Sequence, residues 1–350
     1  MSNDTVNASA PPRLEWRPLM AKYQSPTWRQ GLWQVATSYV PYFFTLFLMY
    51  QSLAVSYWLT IALGFVGGSF LLRIFVIFHD CTHGSLLPSK RATNLLGSVT
   101  GVLLFTPFYE WRRHHIIHHA TSSNLDRRGW WEIKTLTVAE YLQLSRWERL
   151  SYRVYRHPLV LLGFGPLVVF LILQRFCSPG ARARERQNVR RTNVAIALMV
   201  VGGSLLLGLK NYLLVQLLVV WWAATAGMWL FYVQHQFEDA YWARRGVWSY
   251  EGAALEGSSF YRLPKLLQWF SANIGFHHIH HLNAQVPNYQ LERCHNENPV
   301  FHDVPMLDLR SSWRSLFVRL WDEERQMMVS FRKARQAVRP EPRYSEAESI

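Results

Sequence analysis

The chain has 350 residues, of which 50% are hydrophobic and 15% aromatic, and its formal net charge is +14 at pH 7. The apolar residues lie in long uncharged blocks, a distribution typical of bilayer spans and not of a water-soluble domain. The basic charge is interpreted as the cytoplasmic bias of membrane proteins together with contact to anionic lipid headgroups, so no nucleic-acid partner is expected. The cysteines, Cys81, Cys177 and Cys294, form no metal-type pair in sequence and are interpreted as structural.

Residues 1–30 are polar, lack the apolar core of a signal peptide and are predicted to form a cytoplasmic tail. Four blocks that are long enough to cross a bilayer follow, and we predict that they form two transmembrane hairpins, 33–50 with 55–78 and 193–209 with 212–233. The sequence QSLA would connect the first pair, and Lys210 with Asn211 the second. The membrane domain is thus predicted to span residues 31–310.

Two weaker apolar blocks, 95–108 and 158–176, are predicted to be re-entrant or interfacial. The first is too short for a hydrocarbon core of roughly 30 Å. If the second crossed, the arginine-rich segment 175–191 would change sides, against the rule that basic loops stay cytoplasmic. Both termini are therefore expected in the cytoplasm, and residues 311–350 are predicted to form an amphipathic helix followed by a disordered acidic end.

Four chain segments place histidines at the cytoplasmic ends of these apolar blocks. Residues three or four apart share a face of a helix, so a pair spaced by four and two H-x-x-H-H triplets can each direct their nitrogens together. The triplets would each bring three nitrogens to one point. Nine candidate ligands are too many for one metal ion and suit two; they are His79, His83, His115, His118, His119, His235, His277, His280 and His281.

Other histidines do not fit this pattern. His114 and His278 fall outside the H-x-x-H-H register and are interpreted as outer-shell or neutral residues. The isolated His157, His295 and His302 are interpreted as partners of headgroups or backbone. The alternative for the clusters themselves is a solvated or pH-sensing patch, which is disfavoured because protonated imidazoles this close would repel one another.

Imidazole suits zinc, copper, iron and nickel. The H-E-x-x-H pattern of zinc proteases is absent from all the clusters. Nine nitrogens with open positions for a small molecule favour a pair of iron ions that perform oxygen chemistry. Asp80, Glu238 and Asp239 are either outer-shell carboxylates that orient histidine rings or solvent-facing charges, and both interpretations stay open.

The motifs HDCTH, HIIHH and HHIHH, in this order and separated by two membrane hairpins, resemble those of the membrane fatty acid desaturases. The segments FHDCTHGS, HHATSSNLDRRG, WLFYVQHQFED and VPNY are similar to the bacterial acyl-lipid desaturases of the Δ5, Δ12 and ω-6 type, over roughly residues 32–332. The expected fold is an all-α integral membrane protein of four transmembrane helices with interfacial or re-entrant helices and a cytoplasmic helical cap around a di-metal site. The family's iron ligands fall on the eight histidines of the three motifs, and its additional histidine falls on His235.

The resemblance implies an O2-dependent oxidoreductase that introduces a cis double bond into a membrane lipid acyl chain at a di-iron centre. Two electrons would come from a separate donor, ferredoxin or flavodoxin, with cytochrome b5 as a further option. The protein would be a multi-pass component of the bacterial inner membrane with its active site on the cytoplasmic face. No catalytic residue beyond the metal ligands is expected.

Two rival functions remain open. A hydroxylase or ketolase would use the same scaffold, because histidine spacing does not decide whether a second hydrogen is lost or oxygen is captured. A bis-histidine membrane cytochrome would need histidines inside the spans, and the predicted spans contain none.

An apolar tunnel below the metal layer is also implied. Candidates for its wall are Trp221, Trp222, Gly227 and Trp229. For any one of them, packing between helices or an interfacial aromatic belt is the favoured alternative. Arg127 and Arg128 are candidates for holding a lipid phosphate or the electron donor, or they snorkel.

Overall fold

The computed structural model describes residues 15–129 and 132–336. The predictions for residues 1–14 and 337–350 lie outside these ranges. The described chain is mostly helical, with α1 (Trp16–Ala21), α2 (Trp28–Ser52), α3 (Tyr57–His83), α4 (Lys90–Leu103), α5 (Phe108–Thr121), α6 (Val138–Gln143), α7 (Arg146–Tyr155), α8 (Gly165–Leu167), α9 (Ala183–Leu207), α10 (Leu209–His235), α11 (Tyr250–Leu255), α12 (Lys265–Phe270), α13 (His277–Leu282), α14 (Asn288–Glu297), α15 (Leu309–Ser312) and α16 (Phe331–Gln336).

The remaining elements are short. Two π-helical segments, Leu159–Phe164 and Val168–Ile172, flank α8, and 3₁₀ turns lie at Leu173–Arg175, Pro299–Phe301 and Trp313–Phe317. The strands are β1 (Leu136–Thr137), β2 (Phe260–Tyr261), β3 (Met306–Leu307), β4 (Leu320–Asp322) and β5 (Met327–Val329). They form the sheets β1-β4-β5 and β2-β3. The fold is therefore mostly helical and not purely so.

Within the described residues, α3, α9 and α10 are long and apolar enough to cross a membrane. They correspond to the second, third and fourth predicted spans, although α3 begins two residues after the predicted 55 and α9 ends two residues before the predicted 209. The first predicted span lies in α2, which has 25 residues but carries several serine, threonine and tyrosine residues that lower its hydropathy. A fourth span stays a prediction.

Both helical hairpins turn at positions that differ from the predicted linkers. Between α9 and α10 the turn is Gly208, with φ 77°, and Lys210 and Asn211 already lie in α10. Glycine adopts this positive φ without a steric penalty, which is why the chain reverses there. In the first hairpin α2 continues through Ser52, so the linker is residues 53–56 and the predicted QSLA linker is two residues too early.

Helix α3 is central, and it packs closely against α10 where small residues allow the backbones to approach. A Cβ atom on Gly68 would lie 2.5 Å from Cδ1 of Trp222, so only glycine fits. Trp222 also donates a hydrogen bond from Nε1 to the Ser69 hydroxyl at 3.1 Å. Small residues at helix crossings are typical of membrane bundles.

The two weak apolar blocks form short or bent structures. Helix α4 has 14 residues and ends before a turn in which Phe105 has φ 54°. Helix α7 and residues 159–175 are bent by 54°, the geometry of a broken span or a re-entrant loop. Pro166 lies in the middle of this segment, where its missing N–H removes a helical hydrogen bond.

The amphipathic helix predicted beyond residue 310 is wrong. The chain there forms a β-hairpin, β4–β5, with Gln326 at φ 53° in its turn. Trp321 is 1% exposed and packs with Phe237 and Trp242, while β1 pairs with β4 in parallel. These long-range contacts override the helical periodicity of the local sequence, and residues 311–336 pack onto the domain that precedes them.

Candidate metal centre

All nine histidines selected from the sequence lie together in the structure, in two groups. Within each group, one ligand atom from every residue lies within 4.8 Å of the others. The first group is His79, His83, His115, His119 and His280, and the second is His118, His235, His277 and His281.

The local sequence explains how four elements reach one layer. α3 and α10 end in histidines, and α5 delivers its histidines in its last turns. The short α13 begins two residues after Gly275, where a Cβ atom would lie only 2.4 Å from the Tyr261 carbonyl oxygen. Glycine at this position lets the start of α13 approach β2.

The structure corrects one detail of the H-x-x-H-H triplets. Each triplet is divided between the two groups: His118 separates from its two partners, and so does His280. Successive helical residues point about 100° apart, so the adjacent histidines of a triplet cannot face one point. α5 and α13 therefore each contribute to both groups, whereas α3 serves only the first and α10 only the second.

The nitrogen atoms are spaced as metal ligands are. His119 Nε2 lies 3.1 Å from His115 Nε2 and 3.0 Å from His280 Nε2, and His277 Nε2 lies 2.9 Å from His235 Nε2. Two imidazole nitrogens bound to one ion at about 2.1 Å and a right angle are about 3 Å apart. Some buried nitrogens, including His118 Nε2 and His281 Nε2, have no hydrogen-bond partner within residues 15–129 and 132–336, and such an ion would satisfy them. The donor set thus fits two metal ions.

Burial also keeps these rings in the form that binds metal. It lowers the pKa of His115, His119, His277, His280 and His281 well below the ordinary value, and the neighbouring histidines lower the pKa further. A metal ligand must be the neutral imidazole. The cluster is therefore ready to bind cations at neutral pH.

Of the three carboxylates proposed as outer-shell partners, only Asp80 contacts a histidine of the groups. Its Oδ1 lies 3.3 Å from His79 Nδ1, and its Oδ2 accepts hydrogen bonds from the backbone N–H and side-chain amide of Asn288 at 2.7 and 2.8 Å. Glu238 and Asp239 are exposed. Asp80 therefore links α3 to the start of α14, and the other two carboxylates are surface charges.

Sequence reasoning missed Glu132. Its Oε1 lies 3.0 Å from His118 Nδ1, and its Oε2 accepts the Gly129 backbone N–H at 3.0 Å. A carboxylate that holds the far nitrogen of a ligand ring fixes its orientation. The only signal in the sequence is an acid in the otherwise apolar stretch WWEI, which the motif spacing does not single out.

Arg73, another missed residue, supports the third motif from inside α3. It is 6% exposed, donates from Nε to the Ser38 hydroxyl at 3.1 Å, and also donates to the backbone carbonyl of Trp269. Its guanidinium lies 4.1 Å from the Trp269 ring centroid. The end of α12, which leads to the histidines of α13, is thereby held against α2 and α3.

The histidines interpreted as non-ligands lie outside both groups. His114 Nε2 contacts the Ser178 hydroxyl at 2.8 Å, and His278 Nε2 contacts His295 Nδ1 at 3.3 Å. His302 Nε2 donates to the His295 backbone carbonyl at 2.9 Å. The three cysteines are free.

An apolar cavity of about 390 Å³ extends from the histidines into the helical bundle. His79, His115 and His118 line its upper part. Deeper in the bundle the wall is formed by Leu71, Leu72, Val220, Ala224 and Gly227. The cavity can hold a hydrocarbon chain and exclude water from it.

Of the residues predicted for the tunnel wall, only Gly227 lines this cavity. The three tryptophans donate hydrogen bonds from Nε1 elsewhere: Trp221 to the Gly163 carbonyl, Trp222 to Ser69 and Trp229 to the Tyr261 hydroxyl. They brace helices. Arg128 is likewise engaged within the fold by the carboxylate of Glu140 and the carbonyl of Leu125.

Comparisons with known proteins agree with this arrangement. Residues 52–310 match the family model described as fatty acid desaturase. The chain is 48% identical over 313 residues to a fatty acid desaturase of Bacillus subtilis, covering 89% of each chain. It is 26% identical over 257 residues to the sn-1 oleoyl-lipid 12-desaturase of Picosynechococcus, covering 70% of this chain and 71% of the relative. Identity is also 26% over 273 residues to the sn-1 acyl-lipid omega-3 desaturase (ferredoxin) of Synechocystis, covering 73% and 72%.

Proposed function

The chain belongs to the fatty acid desaturase family, whose members are oxidoreductases, and from this premise we propose that it introduces a cis double bond into the acyl chain of a membrane glycerolipid. One observation carries the proposal: two groups of histidines stand at the head of an apolar cavity. Relatives named as acyl-lipid desaturases support the glycerolipid substrate.

The proposed cofactor is a pair of iron ions, one in each histidine group, with all nine histidines as ligands. When bound, the irons supply the activation of O2 that removes two hydrogens from a CH2–CH2 unit and, with two electrons and two protons, releases water. Imidazole nitrogens suit iron among the transition metals. Acid–base side chains cannot remove hydrogen from an unactivated C–H bond, so this step requires the metal.

The side chains of the protein position the reactants. Asp80 and Glu132 hold the far nitrogens of His79 and His118 and so fix two rings. The cavity wall aligns the acyl chain beneath the histidines and so selects one methylene pair. In this step the protein contributes only the orientation of the substrate. No further catalytic side chain is proposed.

For the membrane arrangement, we propose four spans, α2, α3, α9 and α10, with both termini and the metal centre on the cytoplasmic side of the bacterial inner membrane. The arginine-rich segment 175–191 supports this orientation. Residues 31–310 would form the membrane domain. The electron donor is proposed to be a separate ferredoxin or flavodoxin, with cytochrome b5 as the third option; one relative's name specifies ferredoxin.

Expression in a host without desaturases tests the function. Mass spectrometry of extracted lipids should show acyl chains that have lost two hydrogens at one position. Chains that instead gain a hydroxyl or keto oxygen would assign the protein to the hydroxylase alternative. An intense Soret band in the purified protein would contradict the non-heme centre.

A further inference from the structure

One of the polar residues that line the apolar cavity is Gln174, at the end of the bent segment 159–175. Gln174 lines the cavity and is 6% exposed. Its side-chain amide makes no hydrogen bond to any residue that the structure describes. The side chain lines the cavity, so a polar group of a ligand there is its expected partner, in a hydrogen bond worth about 1 kcal/mol net.

The backbone on both sides of this amide is held in place. The neighbouring Arg175 donates to the Phe105 carbonyl oxygen, and its Nη1 donates to Asn193 Oδ1 at 2.8 Å. Asn193 in turn donates from Nδ2 to the Arg175 carbonyl oxygen at 2.8 Å. These contacts hold the backbone at Gln174 in a fixed position relative to the α4–α5 turn and to α9. A fixed position is required if Gln174 is to set the distance between a lipid ester and the histidine groups.

Gln174 lies beside the outer surface of the bundle. Ile172, Leu173 and Phe176 are 52%, 47% and 65% exposed, so the residues around it face the lipid. Close by in sequence begins the arginine-rich segment 175–191, which belongs at the headgroup level. A lipid that enters here would bring its ester region to Gln174 and pass its hydrocarbon chain beneath the histidines.

Charges of both signs lie near Gln174. Glu110 also lines the cavity, and its buried Oε2 has no hydrogen-bond partner among the residues that the structure describes. Hydrogen bonds from His114 and Ser178 outweigh its burial and lower the pKa of Glu110 to about 2. The guanidinium of the adjacent Arg175 is bound to Asn193 and backbone carbonyls, so an ester is chosen over a carboxylate because of the proposed glycerolipid substrate and not because of charge.

We propose that the Gln174 side-chain amide donates a hydrogen bond to the acyl ester carbonyl of a glycerolipid, and that the span from Gln174 to the histidine groups sets the position of the double bond counted from the carboxyl end. This inference rests on the proposed desaturase function. Gln174 is a positioning residue in this role: it fixes which methylene pair lies below the histidines.

The test compares Gln174→Met, Gln174→Asn and the wild type in a host that lacks desaturases. Gln174→Met keeps the volume of the side chain and removes the donor, whereas Gln174→Asn keeps the donor on a stem shorter by one methylene. Gln187→Met on the exposed face of α9 is the matched control. Double-bond positions are located in extracted lipids by mass spectrometry, and bound metal is counted in each purified variant.

A wild type that forms no double bond refutes the proposed function itself. If the wild type forms one dominant isomer, Gln174→Met should raise the ratio of neighbouring isomers to it about fivefold, the value of one net hydrogen bond. Gln174→Asn should move the dominant position by about one carbon, and Gln187→Met should match the wild type. An unchanged isomer ratio in Gln174→Met with full metal content overturns the inference. If Gln174→Met loses metal, the isomer pattern of Gln174→Asn decides alone.

An acyl thioester has a carbonyl acceptor like that of a glycerolipid ester. A pulse of labelled fatty acid therefore distinguishes whether the acyl group is a glycerolipid ester or a thioester when the double bond forms. New double bonds that appear first in glycerolipids support the ester. Their first appearance in acyl thioesters overturns the glycerolipid assignment.

Discussion

Gly227 on α10 is the position at which the depth of the cavity can be tested. It lies eight residues before His235, about 12 Å along the helix at 1.5 Å per residue, and Leu72 lies seven before His79, about 10 Å. A Cβ atom on Gly227 would lie 3.6 Å from Leu72 Cδ1, an ordinary contact. Alanine fits there, but the larger side chain of leucine would close the cavity at this depth.

We therefore expect Gly227→Leu to shorten the substrates that the enzyme accepts. Overpacking costs about 1–3 kcal/mol, so conversion of chains that reach past this depth should fall about fivefold to more than a hundredfold. Shorter chains should be converted as before. Fatty acids of graded length would be fed to a desaturase-free host, and unsaturated products quantified by gas chromatography with mass spectrometry.

Gly202→Leu is the control, since a Cβ atom on Gly202 would meet no atom within 4 Å. It should leave the length profile unchanged. If Gly227→Leu, at wild-type abundance and metal content, converts every chain length in wild-type proportions, the cavity is not the acyl site and the reasoning fails.

Further predictions concern the metal ligands, their support and the hairpin turn. His280→Ala should abolish turnover and remove at least one metal ion per chain by elemental analysis, whereas His278→Ala, equally buried in α13, should keep both ions; equal metal loss in both would argue against the grouping. Glu132→Gln should lower metal affinity by about 10- to 100-fold in a chelator competition, and unaltered affinity would show that the carboxylate does not orient its ring. Gly208→Ala, at a positive φ, should cost about 1–2 kcal/mol of stability, seen as a lower Tm in detergent; Gly202→Ala should not, and equal Tm values would contradict the turn assignment.

The spacing of the histidines was enough to select eight of the nine residues that the structure brings together, because helix periodicity places residues four apart on one face. His235 was selected by its position at the end of the last predicted span. Helix geometry also separates the adjacent histidines of each triplet. Which histidines of α5 and α13 share an ion depends on how the two helices face each other, and that angle is set by packing of distant segments. Glu132 could not be predicted as the partner of His118 for a similar reason. The loop that carries Glu132 brings it to His118, and no sequence motif indicates the path of that loop.

Errors in the fold arose where long-range contacts overrule local pattern. Residues 311–336 carry charges at helical spacing, yet β4 pairs with β1, which lies about half the chain length away, as the pairing of Leu136 with Leu320 shows. At the second hairpin the polar Lys210 and Asn211 suggested a linker, but the positive φ at Gly208 marks the turn. The three tunnel tryptophans were chosen by their position on α10, without knowledge of which helix each would face.

The sharing of α5 and α13 between the two histidine groups has a thermodynamic consequence for assembly. An ion that enters one group orders two helices that also supply three of the histidines of the other group, and so lowers the entropic cost of the second binding event. Loading should be cooperative, with a Hill coefficient above one and few chains holding a single ion. A half-loaded enzyme, which could accept O2 without a partner ion to complete the chemistry, would be a rare species in the cell.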